Sequence, residues 1–252
     1  IALAKAAQAL NEPDYSKTAS AAADFVLTKM QLPDGRLLHR YRDAPGIVAN
    51  LDDYSFMIWG LIELYEAVLD ERYLLSAIDL CKIMMEHFWD QRNGGFYFVP
   101  DDGETILVRR KEIYDGAVPS GNSVAMLNLL RLSHLTGDHQ YEEMADKIWK
   151  AFCSQVAQRP SAHSMFLTAL DFALGPAHEV AIVGDIRTHD ANVMLKTFRS
   201  IFNPNSVLIF VPSEKETSAI SQIATFTASL TPIHGSATAY VCANHICKLP
   251  TT

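Results

Sequence analysis

Three segments of the chain share one layout, and that repetition limits the possible folds more than any other feature. They are ALAKAAQALNEPDYSKTASAAADFVLTKM, GLIELYEAVLDERYLLSAIDLCKIMMEHF and NLLRLSHLTGDHQYEEMADKIWKAF. Each ends an apolar helix, makes a short polar turn, passes a tyrosine (Tyr15, Tyr73, Tyr141) and starts a second helix. The apolar spacing is helical, as at Leu74, Ile78, Cys81, Met85 and Phe88. The turns Asn11-Glu12-Pro13-Asp14 and Thr136-Gly137-Asp138 carry stop and cap residues.

The first helix of the middle pair is apolar nearly all round from about Asp52 to Leu69, so it is expected to be buried on several sides. Its partner from Glu71 to Trp89 keeps a polar face with Glu71, Arg72, Asp79, Lys82 and Glu86. Inner helices alternating with outer ones describe an α/α toroid; a plain helical solenoid is the other arrangement of such pairs. Two repeats add a strand-like stretch, DGRLLHRYRD and NGGFYFVPDDG, with hairpin-turn signals at Asp34-Gly35 and Asn93-Gly94. A polar junction then opens the next inner helix, NLDDYSF in one repeat and VPSGNSV in the other. Parallel inner helices place these junctions on one rim, where free N–H groups and positive helix ends suit hydroxyl-rich or anionic ligands.

The pattern changes near Gly175-Pro176. HEVAIVGD, SVLIFVP and ATAYVCAN read as short strands, with a helix over about 191–202 between the first two. No glycine-rich loop follows VAIVGD, which speaks against a nucleotide site. The expected division is therefore 1–175 and 176–252.

The net charge of −8 and the lack of a basic cluster beyond Arg109-Arg110-Lys111 argue against nucleic acid and anionic membranes as partners. No apolar run reaches the roughly 18 residues of a membrane span, and no signal peptide opens the chain; the expected compartment is cytoplasmic. The start at Ile1, inside a helical pattern, leads us to expect further sequence upstream. Of the four cysteines, Cys81 and Cys153 sit on apolar helix faces, where a buried, inert thiol is expected. Cys242 and Cys247, with His245 between them, leave a disulfide, plain packing and a metal site open, although the spacing is poor for zinc. No metal and no cofactor are expected.

Asp52 and Asp53 exceed what one N-cap requires, and Tyr54 follows them. Ser120 and Asn122 can cap the next inner helix, but capping does not account for Lys111, Tyr114 and Asp115 just upstream. Arg40 and Tyr41 follow a hairpin on the same rim beside His39 and Arg42; strand alternation sends His39 and Tyr41 to one face and the arginines to the other. His163 opens a later helix and can reach the rim, whereas His134 lies well inside its helix. Glycoside hydrolysis needs two carboxyl groups roughly 5–10 Å apart, and Asp53 with Asp115 is the candidate catalytic pair. Asp52, Tyr54, Arg40, Tyr41, Lys111, Tyr114, Ser120, Asn122 and His163 are the candidate binding residues. Epimerisation would instead need acid–base groups, often histidines, on both faces of a carbon. No nucleophile elbow is present.

Several long motifs, in order, carry a family resemblance: LDDYSFMIWGLIELYEAVLDERYL, FWDQRNGGFYFVPDDGE, KEIYDGAVPSGNSVAMLNLLRLSHLTGD and TAYVCANHICKLP. Over nearly its whole length the chain resembles the C-terminal region of the YyaL-type thioredoxin-domain-containing proteins. That resemblance implies an N-terminal thioredoxin-like domain outside this chain. It also implies a six-hairpin toroid similar to those of N-acylglucosamine 2-epimerases and some glycoside hydrolases. No epimerase histidine motif matches here. The expected fold is mainly α, part of an (α/α)6 toroid of helical hairpins with short β-hairpin inserts, followed by a small α/β unit. The expected function is binding or processing of a sugar or other small-molecule ligand at the rim. The alternative is a non-catalytic scaffold that presents substrates or partners to the thioredoxin-like domain. A partial ring exposes apolar helix faces, so self-association through the edge at Ile1–Leu10 is a further expectation.

Overall fold

The computed structural model describes residues 1–42, 44–104, 107–213 and 218–252. Three helical hairpins come first: α1 (Ala2–Leu10) with α2 (Pro13–Lys29), α3 (Leu51–Val68) with α4 (Glu71–Phe88), and α5 (Gly121–Thr136) with α6 (His139–Gln158). A seventh helix, α7 (Ser164–Leu174), follows. Contacts run α1 to α3 to α5 to α7, which makes these the inner row; α4 and α6 each pack on their own hairpin partner, and α2 packs on both α1 and α3. The inner row and its outer helices form the expected portion of an α/α toroid.

Sequence explains each boundary. Asp70 and Asp138 cap α4 and α6 by accepting the N–H of the residue two positions on. Gly137 closes α5 in the left-handed conformation, φ 78°. Every residue of α5 from Gly121 to Ser133 is buried, because helices flank it on both sides and the sheet lies beyond its C-terminal half. The main core joins α3, α4, α5, α6 and α7, with Tyr54, Tyr65, Tyr73, Phe88, Phe96, Phe166 and Phe172 as its largest members. No described helix is long and apolar enough to cross a membrane.

The strand-like stretches behave differently from their reading as hairpin strands. After Asp34-Gly35 the chain makes isolated bridges, Gln31 to Leu37 and Leu38 to Val48, and one two-residue pair, β1 (Tyr41–Arg42) with β2 (Ala44–Pro45). After Asn93-Gly94 there is one bridge, Trp89 to Phe96. The FYFVP backbone instead distributes its bonds: Tyr97 N–H donates to Phe88, Phe98 N–H donates to Arg110, and the Phe98 carbonyl accepts from Leu51. These loops are staples between hairpins. Gly94 shows why the turn needs glycine: its φ is +71°, and a Cβ there would sit 2.6 Å from the Lys147 carbonyl oxygen on α6. Gly94→Ala is expected to cost about 1–3 kcal/mol in chemical denaturation; an unchanged midpoint would refute the close packing of this loop on α6.

Beyond the cis Gly175-Pro176 bond lies a sheet of order β4-β3-β5-β6. Its strands are β3 (His178–Gly184), β4 (Ser206–Pro212), β5 (Thr238–Ala243) and β6 (Ile246–Cys247). β4 runs parallel to β3; β5 and β6 are antiparallel to their neighbours. The crossover helix α8 (His189–Arg199) covers one face with Leu195 against Val180, Ile182, Leu208 and Phe210. It ends at Arg199, short of the expected 202. The short helix α9 (Ile220–Ile223) leads back toward β5. The other sheet face shares the main core through Ala181, Val183, Val207 and Ile209. β4 is an edge strand, and α3 satisfies its outer N–H groups: Leu208 N–H donates to Glu66 (3.3 Å) and Phe210 N–H donates to the Tyr65 hydroxyl (3.3 Å).

Candidate functional site

The N-termini of α3, α5 and α7 and the loops before them hold most of the residues singled out in the sequence. Asp53 closes a capping box with Asn50: its Oδ2 accepts the Asn50 N–H (2.8 Å) and lies 2.9 Å from His39 Nδ1. Asp52 is half-buried beside the start of α5. Burial raises its carboxyl, the Gly121 N–H opposes that, and Glu112 adds to it. A Cβ on Gly121 would come within 2.5 Å of Asp52 Oδ1, so glycine is what lets this carboxyl reach the helix end. Asp52, Asp53 and His39 line one end of a cleft of about 660 Å³ between α1, α2 and α3, whose walls include Ala23, Val26, Phe56, Met57 and Leu61.

Asp115 does not line that cleft. It is 7% exposed; Oδ1 accepts the Ser120 N–H and Oδ2 accepts the Phe166 N–H, each at 2.9 Å. One carboxylate therefore ties the start of α5 to the start of α7. The expected catalytic pair Asp53 and Asp115 is not brought into one cleft, because both acids are committed to helix starts. Ser120 caps α5 by accepting the Ser123 N–H (3.2 Å). Asn122 is fully buried; it accepts from Phe96 N–H (2.7 Å) and donates to the carbonyls of Phe96 and Glu112 (both 2.9 Å). Lys111 donates to Asp90 and to the Gly94 carbonyl (both 2.7 Å) and holds the Asp90 carboxyl well below the usual range. Tyr54 is buried against Phe88, its hydroxyl accepting the Leu37 N–H. His163 is buried, with Nδ1 donating to the Ile113 carbonyl (2.8 Å). Arg40, Tyr41 and Tyr114 are exposed, and Tyr41 meets Phe25 edge-on. These residues are joinery more than ligand surface.

A second cleft, of about 670 Å³, lies on the inner face of the ring between α1, α3, α5, α7 and the 198–206 segment. Its wall carries Trp59, Glu63, Glu66, Arg131, Phe172 and Phe202. Glu63 Oε1 accepts from Arg131 (2.6 Å), Lys5 (2.9 Å) and Trp59 Nε1 (2.9 Å). Arg131 also bonds Glu66 Oε2 (3.0 Å). Burial pushes both carboxyls up. At Glu63 the Arg131 and Lys5 charges more than reverse this and hold it at about 2; Glu66, also buried, shares Arg131 with Glu63 and faces its charge, and stays raised. Arg199 reaches in from α8 and donates to the carbonyls of Glu66 (2.7 Å) and Ala67 (2.9 Å), while its Nε is buried without a hydrogen-bond partner among the described residues. Burial lowers its guanidinium. Sequence reading passed over Glu63, Glu66 and Arg131. The available signal was charge inside all-round apolar helices, in GLIELYEAVL and MLNLLRLSHL.

The structure pairs Cys242 with Cys247 in a disulfide, which closes the metal and packing alternatives for that pair. Cys81 is buried as expected; Cys153 is partly exposed. Among the described residues, His87, Asp101 and Asp102 bring metal-capable atoms together, but His87 Nδ1 already bonds Asp101 (3.0 Å) and Asp102 accepts from Arg36 (2.5 Å).

Parallel inner helices, outer hairpin partners and a cleft on the inner face define a portion of an α/α-toroid protein. A GH76 α-mannanase from Bacteroides thetaiotaomicron shares the fold with a TM-score of 0.52 at 18% identity, over 79% of this chain and 53% of that one. Spermatogenesis-associated protein 20 of Homo sapiens is 32% identical over 203 residues, 80% of this chain and 26% of the relative. An uncharacterised Caenorhabditis elegans protein is 31% identical over 228 residues, 86% of this chain and 31% of the relative. Its homologues include spermatogenesis-associated protein 20 of human, rat and mouse, proteins of a thioredoxin-domain family. It spans about a quarter of the length of the mammalian relatives it matches. No protein-family model matches it.

Proposed function

We propose that this chain binds a carbohydrate-like ligand in the cleft on the inner face of its helical ring, and presents it to a thioredoxin-like domain elsewhere in the longer protein. The observation that carries the reading is the cleft wall. Trp59 and Phe202 offer flat apolar surface, and Lys5, Gln8, Thr168, Asn203 and Asn205 offer hydrogen-bonding groups beside it. A sugar ring needs that combination of an apolar platform and convergent polar groups. Lys5, Arg131 and Arg199 outnumber Glu63 and Glu66 there, which favours a sugar bearing a carboxylate or phosphate. The rim residues act one layer back, by fixing the helix starts.

Turnover is the second reading, and one observation favours it. Glu63 and Glu66 are displaced in opposite directions within one cleft, the pattern of an acid–base pair. Against it, their side chains are only 2% and 9% exposed and Arg131 clamps both, so binding is the stronger reading.

The test is a thermal-shift screen of neutral sugars, uronic acids and sugar phosphates on the chain, on Trp59→Ala and on Asp52→Asn. A ligand at 100 times its Kd adds about 2.7 kcal/mol, roughly 5–10 °C for a chain of this size. The shift is expected to survive Asp52→Asn and to vanish in Trp59→Ala. The reverse pattern would move the site to the rim; no shift from any sugar would reject the carbohydrate reading.

A further inference from the structure

The C-terminal hairpin holds a feature that neither the ring nor its clefts explain. In the sheet register Cys242 stands opposite Cys247 on β6 and opposite Glu179 on β3. Directly paired residues share a sheet face, so the disulfide and the fully buried Glu179 lie side by side. The turn between the cysteines puts Asn244 and His245 in the left-handed region, at φ 51° and 60°. Asn and His are among the non-glycine residues that tolerate this region, and together they form the two-residue turn of a tight hairpin. His245 is drawn inward: its N–H donates to Glu179 Oε2 (3.2 Å), and its ring lies 4.5 Å from Phe226 and 6.0 Å from His134. Its Nδ1 is buried without a hydrogen-bond partner among the described residues. Glu179 Oε1 is taken by His134 of α5 at 2.5 Å.

The two cysteines differ in residue exposure. Cys242 is fully buried, and Cys247 is partly exposed on the two-residue edge strand. Ile246 just before Cys247 and Leu249 beyond Lys248 are 78% and 95% exposed. The bridge spans a sequence separation of 5. A loop that short constrains the unfolded chain least, so the bond contributes little as a staple of the fold. Cys81, the buried thiol on α4, is pushed up to about 12 by burial, and only a thiolate exchanges.

We propose that Cys242–Cys247 is a thiol–disulfide exchange site for a protein dithiol of the Cys-x-x-Cys type, entered at Cys247. The partner's first thiolate attacks the Cys247 sulfur. The Cys242–Cys247 bond breaks, a mixed disulfide to Cys247 forms, and Cys242 leaves as a thiolate that takes up a proton. The partner's second thiolate then attacks its own sulfur in the mixed disulfide and releases Cys247. Two electrons pass from the dithiol to this chain, the partner ends as a disulfide, and its two protons end on Cys242 and Cys247. Opening the bond frees the turn that holds His245 on Glu179, so the redox state of the hairpin reaches α5 through His134. Exposed Ile246 and Leu249 give a dithiol protein an apolar, extended segment to grip, which a small thiol cannot use. The family's thioredoxin-domain character makes such a dithiol a fitting partner.

The experiment uses the oxidised chain with a thioredoxin-type protein whose resolving cysteine is replaced by serine, under conditions where far-UV circular dichroism reports a folded chain. The expected product is a mixed disulfide mapped by mass spectrometry to Cys247, at least tenfold over Cys242, and absent in Cys247→Ser. Unmodified thioredoxin-type protein is expected to reduce the bond at least tenfold faster than glutathione at equal thiol concentration. An adduct mainly on Cys242, equal rates with glutathione, or no reduction of the folded chain would each overturn the proposal. Ile246→Ser with Leu249→Ser leaves the disulfide in place and is expected to slow the protein dithiol severalfold while leaving glutathione unchanged; equal slowing of both would reject recognition by the edge strand.

Discussion

Arg131→Met is expected to lower the stability of the chain by about 3–5 kcal/mol, because it strands two buried carboxyl groups. Glu63 and Glu66 have 2% and 9% of their side-chain surface exposed, and Arg131 bonds both. Lys5 remains to Glu63, but it is 57% exposed and contributes as a surface charge would. At a urea m-value of about 3 kcal/mol/M the midpoint falls by about 1–1.7 M. The sign of the pH dependence follows from the two displacements. Glu63, held at about 2, contributes stability that is present above its unfolded value, near 4.3, and lost as pH falls through about 2. Glu66, raised, opposes folding while ionised, and that cost is relieved as pH falls. Without Arg131 both carboxyls behave as Glu66 does. The deficit of Arg131→Met is therefore expected to narrow between pH 7 and pH 4. Replacing all three with Glu63→Leu, Glu66→Leu and Arg131→Met removes the stranded charges and is expected to return most of the loss. A deficit below about 1 kcal/mol in the single variant would mean that water reaches this network and that it is not a buried one.

The ring was legible because its signals are local. Apolar spacing at Leu74, Ile78, Cys81, Met85 and Phe88 placed α4 within a residue, and the continuous apolar runs in VAIV and SVLIFV placed β3 and β4. The rim was legible as a place, since polar junctions open α3 and α5. Its chemistry was not. Asp115 looks like a spare loop acid until α7 folds back and its Phe166 N–H arrives from 51 residues away. Asn122 looks like a cap and instead bridges a loop 26 residues distant. Glu63 and Arg131 are separated by 68 residues, and each alone reads as a stray charge on an apolar helix. FYFVP has strand composition, but its neighbours are single residues from Phe88, Arg110 and Leu51, so no ladder forms. The cysteine spacing left disulfide, packing and metal open because register is a tertiary property; only the pairing of β5 with β6 sets Cys242 opposite Cys247.

Asp115→Ala is expected to cost about 2–4 kcal/mol, and the comparison with Asp52→Asn shows what kind of residue each is. The Asp115 carboxylate accepts two backbone N–H groups, one opening α5 and one on the first turn of α7. Each is one of the orphan donors that a helix start must place somewhere. Removal leaves two buried donors unsatisfied, at about 1–3 kcal/mol apiece before water or relaxation recovers part. Asp115→Asn keeps one acceptor and is expected to lose about half as much. Asp52→Asn should change stability by no more than about 0.5 kcal/mol, since burial already disfavours the Asp52 charge and the amide oxygen still accepts from Gly121. The measurement is urea unfolding of the three variants, with sugar binding read beside it. If Asp115 were a catalytic acid in the rim cleft, its asparagine variant would lose turnover while keeping its fold. The bonding of its two oxygens argues the opposite order. Stability falls first, and binding in the inner-face cleft fails only as α5 and α7 lose their fixed relation, because Arg131 on α5 and Met165 and Phe172 on α7 line that cleft.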